Sequence, residues 1–341
     1  MRHAFVPLID VPPAAPVLGT VVQSLQGQTM GTTWSVRLVT RAGRPLDDVR
    51  AAIERQLDLV IAQMSTWEAD SDLSLYNRAA PGTWHALPDA FYTVLDCALH
   101  VAQASDGAYD PGAGLLVNLW GFGPERRYDQ PGFVPPTDAE LEHARALCGW
   151  QRIALDRETR RVGQPGGLVL DFSAIAKGFA VDLVAQCLEA HGFDSFLVEI
   201  GGELRGSGIR PDGQPWWVAI EQPADGQAMA GAMADDYVAA LYRRAIATSG
   251  DYRRYFMQGA TRYAHTIDPR SGRPLARTLA SVTVIHTECM LADAWSTALG
   301  VLGAEEGLAC ADRLGLAALF LTREGDALRE TQSRSMKEML Q

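Results

Sequence analysis

Strand-like and helix-like stretches follow one another along this chain without the regular strand–helix–strand rhythm of a doubly wound sheet, and that irregularity favours an α+β fold. Trp34, Val36 and Leu38 alternate with polar neighbours, predicting a strand over 33–39. Val49, Ile53, Leu57 and Val60 recur at helical spacing and predict a helix over 47–63. A second helix is expected from Pro88, suited to a first turn, to Ser105. A third opens at Thr137, with Glu140 placed for a capping box. Leu168–Leu170 reads as a short buried strand, Ser173–His191 as a helix stopped by Gly192, and Phe196–Ile200 as a strand ended by Gly201-Gly202. Trp216–Ile220 is expected to pair with that strand, and 223–240, rich in Ala, Gly and Asp, to form a surface excursion. The last third predicts a strand over 280–286, helices over 290–302 and 304–314, and a final strand over 317–321.

Composition narrows the function classes. The chain has 341 residues, 47% hydrophobic and 21% charged, as expected for a folded, soluble protein with enough material for a sizeable core. A net charge of −11 argues against general affinity for nucleic acid or anionic membranes, although a local pocket can still present positive charge to one phosphate ligand. The five cysteines have no CxxC spacing and read as reduced, buried thiols. Residues 1–22 read as a loosely held leader and 23–341 as the functional domain. Asp10, Pro12 and Pro13 interrupt the first apolar run before it reaches the roughly 7–15 residues of a signal peptide. No stretch approaches the roughly 20 apolar residues of a membrane span, so a cytoplasmic location is expected.

Five segments carry residues that folding alone does not demand. Gln28–Ser35 is a Gly/Thr-rich approach to a strand that a plain turn would also explain. Trp67, in a polar loop after Met64-Ser65-Thr66, could stack on a flat ring or cap the core. Gly107–Pro111 and Leu116–Gly123 make a stiff loop whose spacing names no ligand. Asp171–Gly178 lies where a buried strand gives way to a helix, whose N-terminus favours an anion, and Lys177 one turn in can reach a phosphate; the plainer reading is a cap by Asp171 or Ser173. Asp293 and Thr297 stand at i and i+4, a hard-oxygen pair suited to Mg²⁺, though such a pair is commonly a solvated face; His265 alone is likewise more often structural.

In this order the segments closely resemble the ApbE family of flavin transferases, from Gln28 to Leu321, through MGTTWSV, GAYDPGAGLLVNLWGFGP, LDFSAIAKGFAVD, VEIGGELRGSG, ATSGDYRRYF, HTIDPRSGRPL and CMLADAWSTALGVLG. The resemblance implies a mostly antiparallel sheet flanked by helices, with an FAD and Mg²⁺ site in a central cleft. It implies transfer of FMN from FAD to a threonine or serine of an acceptor flavoprotein in a redox complex, releasing AMP. FAD contacts would fall on Met30, Trp67, Ala108, Tyr109, Asp110, Asp171, Lys177 and Ile267. Mg²⁺ would be held by Asp293, Thr297 and the backbone carbonyl of Ala174, with His265 and Lys177 serving the transfer step. Some members carry a second aspartate directly before that threonine; here the position is Ser296, which puts tight metal binding in doubt. Most bacterial members are exported or lipid-anchored, whereas this sequence shows no export signal. Two other readings stay open: an FAD pyrophosphatase releasing free FMN and AMP, and a non-enzymatic flavin carrier.

Overall fold

The computed structural model describes residues 3–8, 12–223, 237–276, 278–325 and 327–340. Its centre is an eight-stranded sheet: β1 (Thr20–Thr29), β2 (Thr32–Arg41), β3 (Phe196–Ile200), β4 (Glu203–Ser207), β5 (Arg244–Gly250), β6 (Leu279–His286), β7 (Ala317–Glu324) and β8 (Ala327–Gln332). The strands lie side by side in chain order, and every neighbouring pair is antiparallel. That topology is the α+β arrangement expected. The unbroken order hides one long excursion, because residues 42–195 leave the sheet after β2 and return to pair β3 beside it, Trp34 opposite Ile200.

Period-two alternation divides the strands between two cores. Val36, Val198, Ala245, Ala247, Val282, Val284 and Phe320 face helices α1 (Asp47–Met64), α2 (Asp89–Ala104), α3 (Ala176–Ala190) and α4 (Cys289–Leu314), the last broken at Gly303 (φ 82°) into the two helices expected. The intervening Leu197, Ile246, Ile285, Leu319 and Leu321 face a second apolar layer of Phe5, Trp216, Val218, Tyr237, Leu241 and Met336. The α1 stripe of Val49, Ile53, Leu57, Val60 and Met64 is buried as its spacing requires. Thr137 and Glu140 form the capping box.

Four expectations change. Trp216–Ala219 pairs with Val238–Leu241 in a separate small sheet rather than with β3, whose two edges are already taken by β2 and β4. Leu168–Leu170 forms no ladder beyond a bridge from Val169 to Ala113, although Leu168 and Leu170 are buried. The strand over 317–321 is not the last, since β8 and a short Arg334–Glu338 helix follow. In the segment expected to hang loosely, Ala4–Phe5 pairs in parallel with Val238–Ala239 and Phe5 is fully buried, because the second core needs a cover; β1 begins at Thr20. Most of the expected 223–240 excursion, 224–236, lies outside the described residues. Among the described residues no helix is long and apolar enough to cross a membrane.

Candidate active site

Antiparallel register brings the Met30–Gly31 turn, the Gly201–Gly202 turn and the C-terminal end of β5 to one end of the sheet. The N-termini of α3 and α4 and the loop after α1 close around that end, leaving a cleft of about 1010 Å³. All twelve residues singled out in the sequence line it.

Helices α3 and α4 are packed tightly enough to exchange caps. Neither has a capping side chain of its own at its N-terminal boundary. Asp182 of α3 accepts the Cys289 N–H at 3.0 Å and the Met290 N–H at 2.9 Å, and pairs with Arg205 at 2.5 Å. Asp293 of α4 reaches back and accepts the Gly178 N–H at 3.0 Å. Gly178 is required for this approach: a Cβ there would sit 2.4 Å from the Cys289 carbonyl oxygen and 2.8 Å from Asp293 Cβ. An uninterrupted α-helix would aim the Gly178 N–H at the carbonyl of Ala174, four residues back. With that N–H diverted, no described donor takes the Ala174 carbonyl.

The diverted bond leaves a set of hard oxygens together. Asp293 is 5% exposed, yet only its Oδ2 has a hydrogen-bond donor among the described residues. Thr297, one turn on, shares its hydroxyl with Ser249 of β5 at 3.2 Å. No group of three or more His, Cys, Asp or Glu side chains able to hold a metal occurs among the described residues. One carboxylate oxygen, one hydroxyl and one carbonyl are hard-oxygen donors, which fit Mg²⁺ retaining several of its waters and fit zinc poorly.

Asp171 holds the Ser173 N–H at 2.8 Å and the Ser173 hydroxyl, so it caps a turn, and α3 begins at Ala176 instead of Ser173. Lys177 Nζ lies 2.5 Å from Glu203 Oε1. Burial works against the Lys177 ammonium, but the Asp293 and Glu203 carboxylates outweigh it and raise its pKa, so the lysine stays charged. Arg127, Arg253 and Arg254 also line the cleft, alongside the carboxylates Glu68, Asp110, Asp171, Glu203 and Asp293, so its wall carries both signs of charge.

His265 donates from Nδ1 to the Arg254 carbonyl at 3.0 Å, which leaves the lone pair on Nε2. Burial lowers its pKa to about 4, and the cations Arg254, Lys177 and Arg253 push the same way against the Arg254 carbonyl. The imidazole is therefore neutral near pH 7 and can accept a proton. Trp67 sits at the mouth, 50% exposed with the Arg127 guanidinium 5.7 Å from its ring centre, on a loop fixed by N–H bonds from Trp67 and Glu68 to Ser65 Oγ. Tyr109 is buried with its hydroxyl unpartnered among the described residues. Asp110 accepts from Gly112 at 2.7 Å, yet burial lifts its carboxyl to about 6. Met30 lines the cleft from a left-handed turn position, φ 46°.

Residues 30–320 match the model of the ApbE family. The chain belongs to the ApbE family. It is 40% identical over 319 residues to an FAD:protein FMN transferase of Vibrio cholerae, covering 93% of this chain and 92% of that one. It is 35% identical to an FAD:protein FMN transferase of Salmonella typhimurium, over 97% and 93% of the two chains. The fold matches the apo crystal structure of the Pseudomonas stutzeri flavinyl transferase ApbE with a TM-score of 0.84 at 39% identity, covering 94% and 97% of the chains. The Vibrio cholerae flavin transferase ApbE matches at 0.82 and 37%, covering 93% and 99%.

Within this ApbE-family cleft, sequence reasoning passed over Glu203, Arg253, Arg127 and Ser249. Of these, Glu203 carried a readable signal, an acidic residue directly after the Gly201-Gly202 pair.

Proposed function

We propose that this chain is an FAD:protein FMN transferase that moves FMN from FAD to a threonine or serine hydroxyl of an acceptor flavoprotein and releases AMP. The observation that carries this reading is the convergence in one cleft of a neutral His265 with a free Nε2, a charged Lys177 and a hard-oxygen set at Asp293, in a member of the ApbE family.

The pyrophosphate of FAD would lie against Lys177, whose ammonium offsets charge on the phosphate oxygens. Trp67, half exposed at the mouth, offers a flat surface for the flavin, with buried Tyr109 in the wall behind it. His265 takes the proton from the acceptor hydroxyl at Nε2. The freed oxygen forms a bond to the phosphorus of the FMN half, and the bond from that phosphorus to the bridging oxygen breaks. AMP departs with the bridging oxygen and its electron pair. Asp293, Thr297 and the Ala174 carbonyl would hold Mg²⁺, which supplies Lewis-acid polarisation of pyrophosphate oxygens when bound.

The test is intact mass spectrometry of an acceptor fragment incubated with this protein, FAD and Mg²⁺. A gain of one FMN, abolished by EDTA and by Asp293→Ala, is expected. Free FMN and AMP with no gain on protein would replace this reading with a flavin-nucleotide pyrophosphatase. Binding of FAD without any product would replace it with a carrier.

A further inference from the structure

Glu203 opens β4 directly after the Gly201–Gly202 turn and is 2% exposed. Its Oε1 lies 2.5 Å from Lys177 Nζ and 3.9 Å from Arg253 Nη1, and both cations line the cleft. Its Oε2 is buried with no hydrogen-bond partner among the described residues.

The turn makes this convergence possible. Gly201 and Gly202 have φ of 61° and 100°, a left-handed conformation that residues with a Cβ rarely adopt. A Cβ on Gly201 would lie 3.0 Å from Thr32 Cγ2 and 3.4 Å from Lys177 Cδ. One on Gly202 would lie 2.6 Å from Arg253 Nη2. Arg253 is steadied from behind by the Gly201 carbonyl, which accepts from Nη1 at 3.0 Å, and by Glu221. Lysine and arginine side chains are thus both drawn against one glycine turn, with a single buried carboxylate between them.

Stability does not explain the arrangement. Buried ion pairs are commonly neutral or worse against apolar replacements, and an unpartnered buried oxygen is costly. Two cations held side by side also repel each other unless a carboxylate offsets them. Burial raises the Glu203 carboxyl's pKa and Asp293 adds to the rise, while Lys177 and Arg253 lower it and favour the carboxylate.

We propose that Glu203 is a positioning residue that holds Lys177 and Arg253 together as a two-cation cradle for the phosphates of the bound nucleotide. The proposal rests on the reading of the cleft as a flavin-nucleotide site, and it adds Arg253 and Glu203 to that site's machinery.

Equilibrium binding of FAD and of riboflavin, followed by flavin fluorescence in Mg²⁺, separates the possibilities because riboflavin has the ring without the phosphates. Glu203→Gln is expected to weaken FAD about tenfold, equivalent to about 1.4 kcal/mol, and to leave riboflavin unchanged. Its melting temperature should fall, since Lys177 and Arg253 lose a buried counter-charge, and the riboflavin control separates that loss from phosphate binding. Glu203→Asp, which keeps the charge, should recover part of the loss. Unchanged FAD affinity in Glu203→Gln, or parallel weakening of FAD and riboflavin, would overturn the cradle, the second pointing to a merely structural role. A wild-type protein that binds FAD and riboflavin equally would also overturn it while leaving a flavin site standing. Wild-type protein that binds neither would overturn the flavin-transfer reading itself, and Glu203's role with it.

Discussion

Asp182 and Asp293 do the same job on the same pair of helices, each capping the helix that the other sits on, but they do it with different reserves. Asp182 spends both oxygens on protein: two backbone N–H groups and the Arg205 guanidinium. Asp293 gives one oxygen to Gly178 and keeps the other without a described donor, and the bond it makes frees the Ala174 carbonyl as well. A saturated buried carboxylate holds a fold together. A half-used one at the wall of a cleft is available to a ligand, and its capping bond fixes where that ligand must sit.

Removing Asp182 tests the saturated side. Asp182→Ala leaves Arg205 and two helix N–H groups without their acceptor in a buried position, and should cost about 3–5 kcal/mol in chemical denaturation. The protein that remains folded should still bind FAD. A loss below 1 kcal/mol would show that the Asp182 cap is dispensable and would dissolve the contrast with Asp293.

Asp293 should behave the other way round. Asp293→Ala is expected to lower FMN transfer by about 10²–10³, in the range for deleting one pre-placed charge-stabilising group, and to cost only the ~1 kcal/mol of a lost cap. Asp293→Asn sharpens the point, since its amide oxygen can still accept from Gly178. It should keep the stability and still lose the Mg²⁺ response. Full activity in Asp293→Asn at ordinary Mg²⁺ would remove the carboxylate from the metal set.

The contrast also explains what could be read from sequence and what could not. Amphipathic elements were legible because burial imposes a period: the α1 stripe and the alternation in β2 lie where their spacing places them. The start of α3 was misplaced by three residues because Asp171 captures the N–H and hydroxyl of Ser173 in a local turn, a competition that spacing does not reveal. The partner of Trp216–Ala219 was unreadable because β-pairing is decided by which strand edges remain free. The cleft residues were legible only as a co-linear set of motifs. Glu203 and Lys177 are 26 positions apart (203 − 177), and only the sheet register and the Gly201–Gly202 turn bring them together.

His265 shows the same division within one ring, Nδ1 committed to the Arg254 carbonyl and Nε2 without a partner among the described residues. Its pKa falls from 6.5 to about 4 on folding, so the unfolded chain binds the proton more readily between those values. The stability contributed by the neutral ring is complete above 6.5 and is lost as pH falls toward 4. For catalysis, the neutral base should persist over the same interval. The ratio of wild-type to His265→Ala transfer rates, expected at about 10²–10⁴ for a general base, should stay flat from neutral pH to about 5 and shrink only near 4. A ratio that halves near 6.5 would mean an ordinary, solvent-exposed histidine.

The two turns at the cleft end of the sheet offer the smallest effect and the finest test. Gly201–Gly202 meets its positive φ angles with residues that tolerate them, whereas Met30 adopts φ 46° ahead of Gly31 at 71°, in a two-residue hairpin between Thr29 and Thr32. A left-handed conformation costs a side-chain-bearing residue about 1–2 kcal/mol, and asparagine is the residue that such hairpins prefer ahead of glycine. Met30→Asn should therefore raise stability by about 0.5–1 kcal/mol, much as other conformationally compatible turn substitutions do. It should also lower FAD affinity, because the methionine side chain lines the cleft and asparagine cannot cover the same apolar surface. A stabilised variant with undiminished FAD affinity would make the Met30 strain incidental; stability gained together with affinity lost would identify the turn as backbone strain held in place for the ligand.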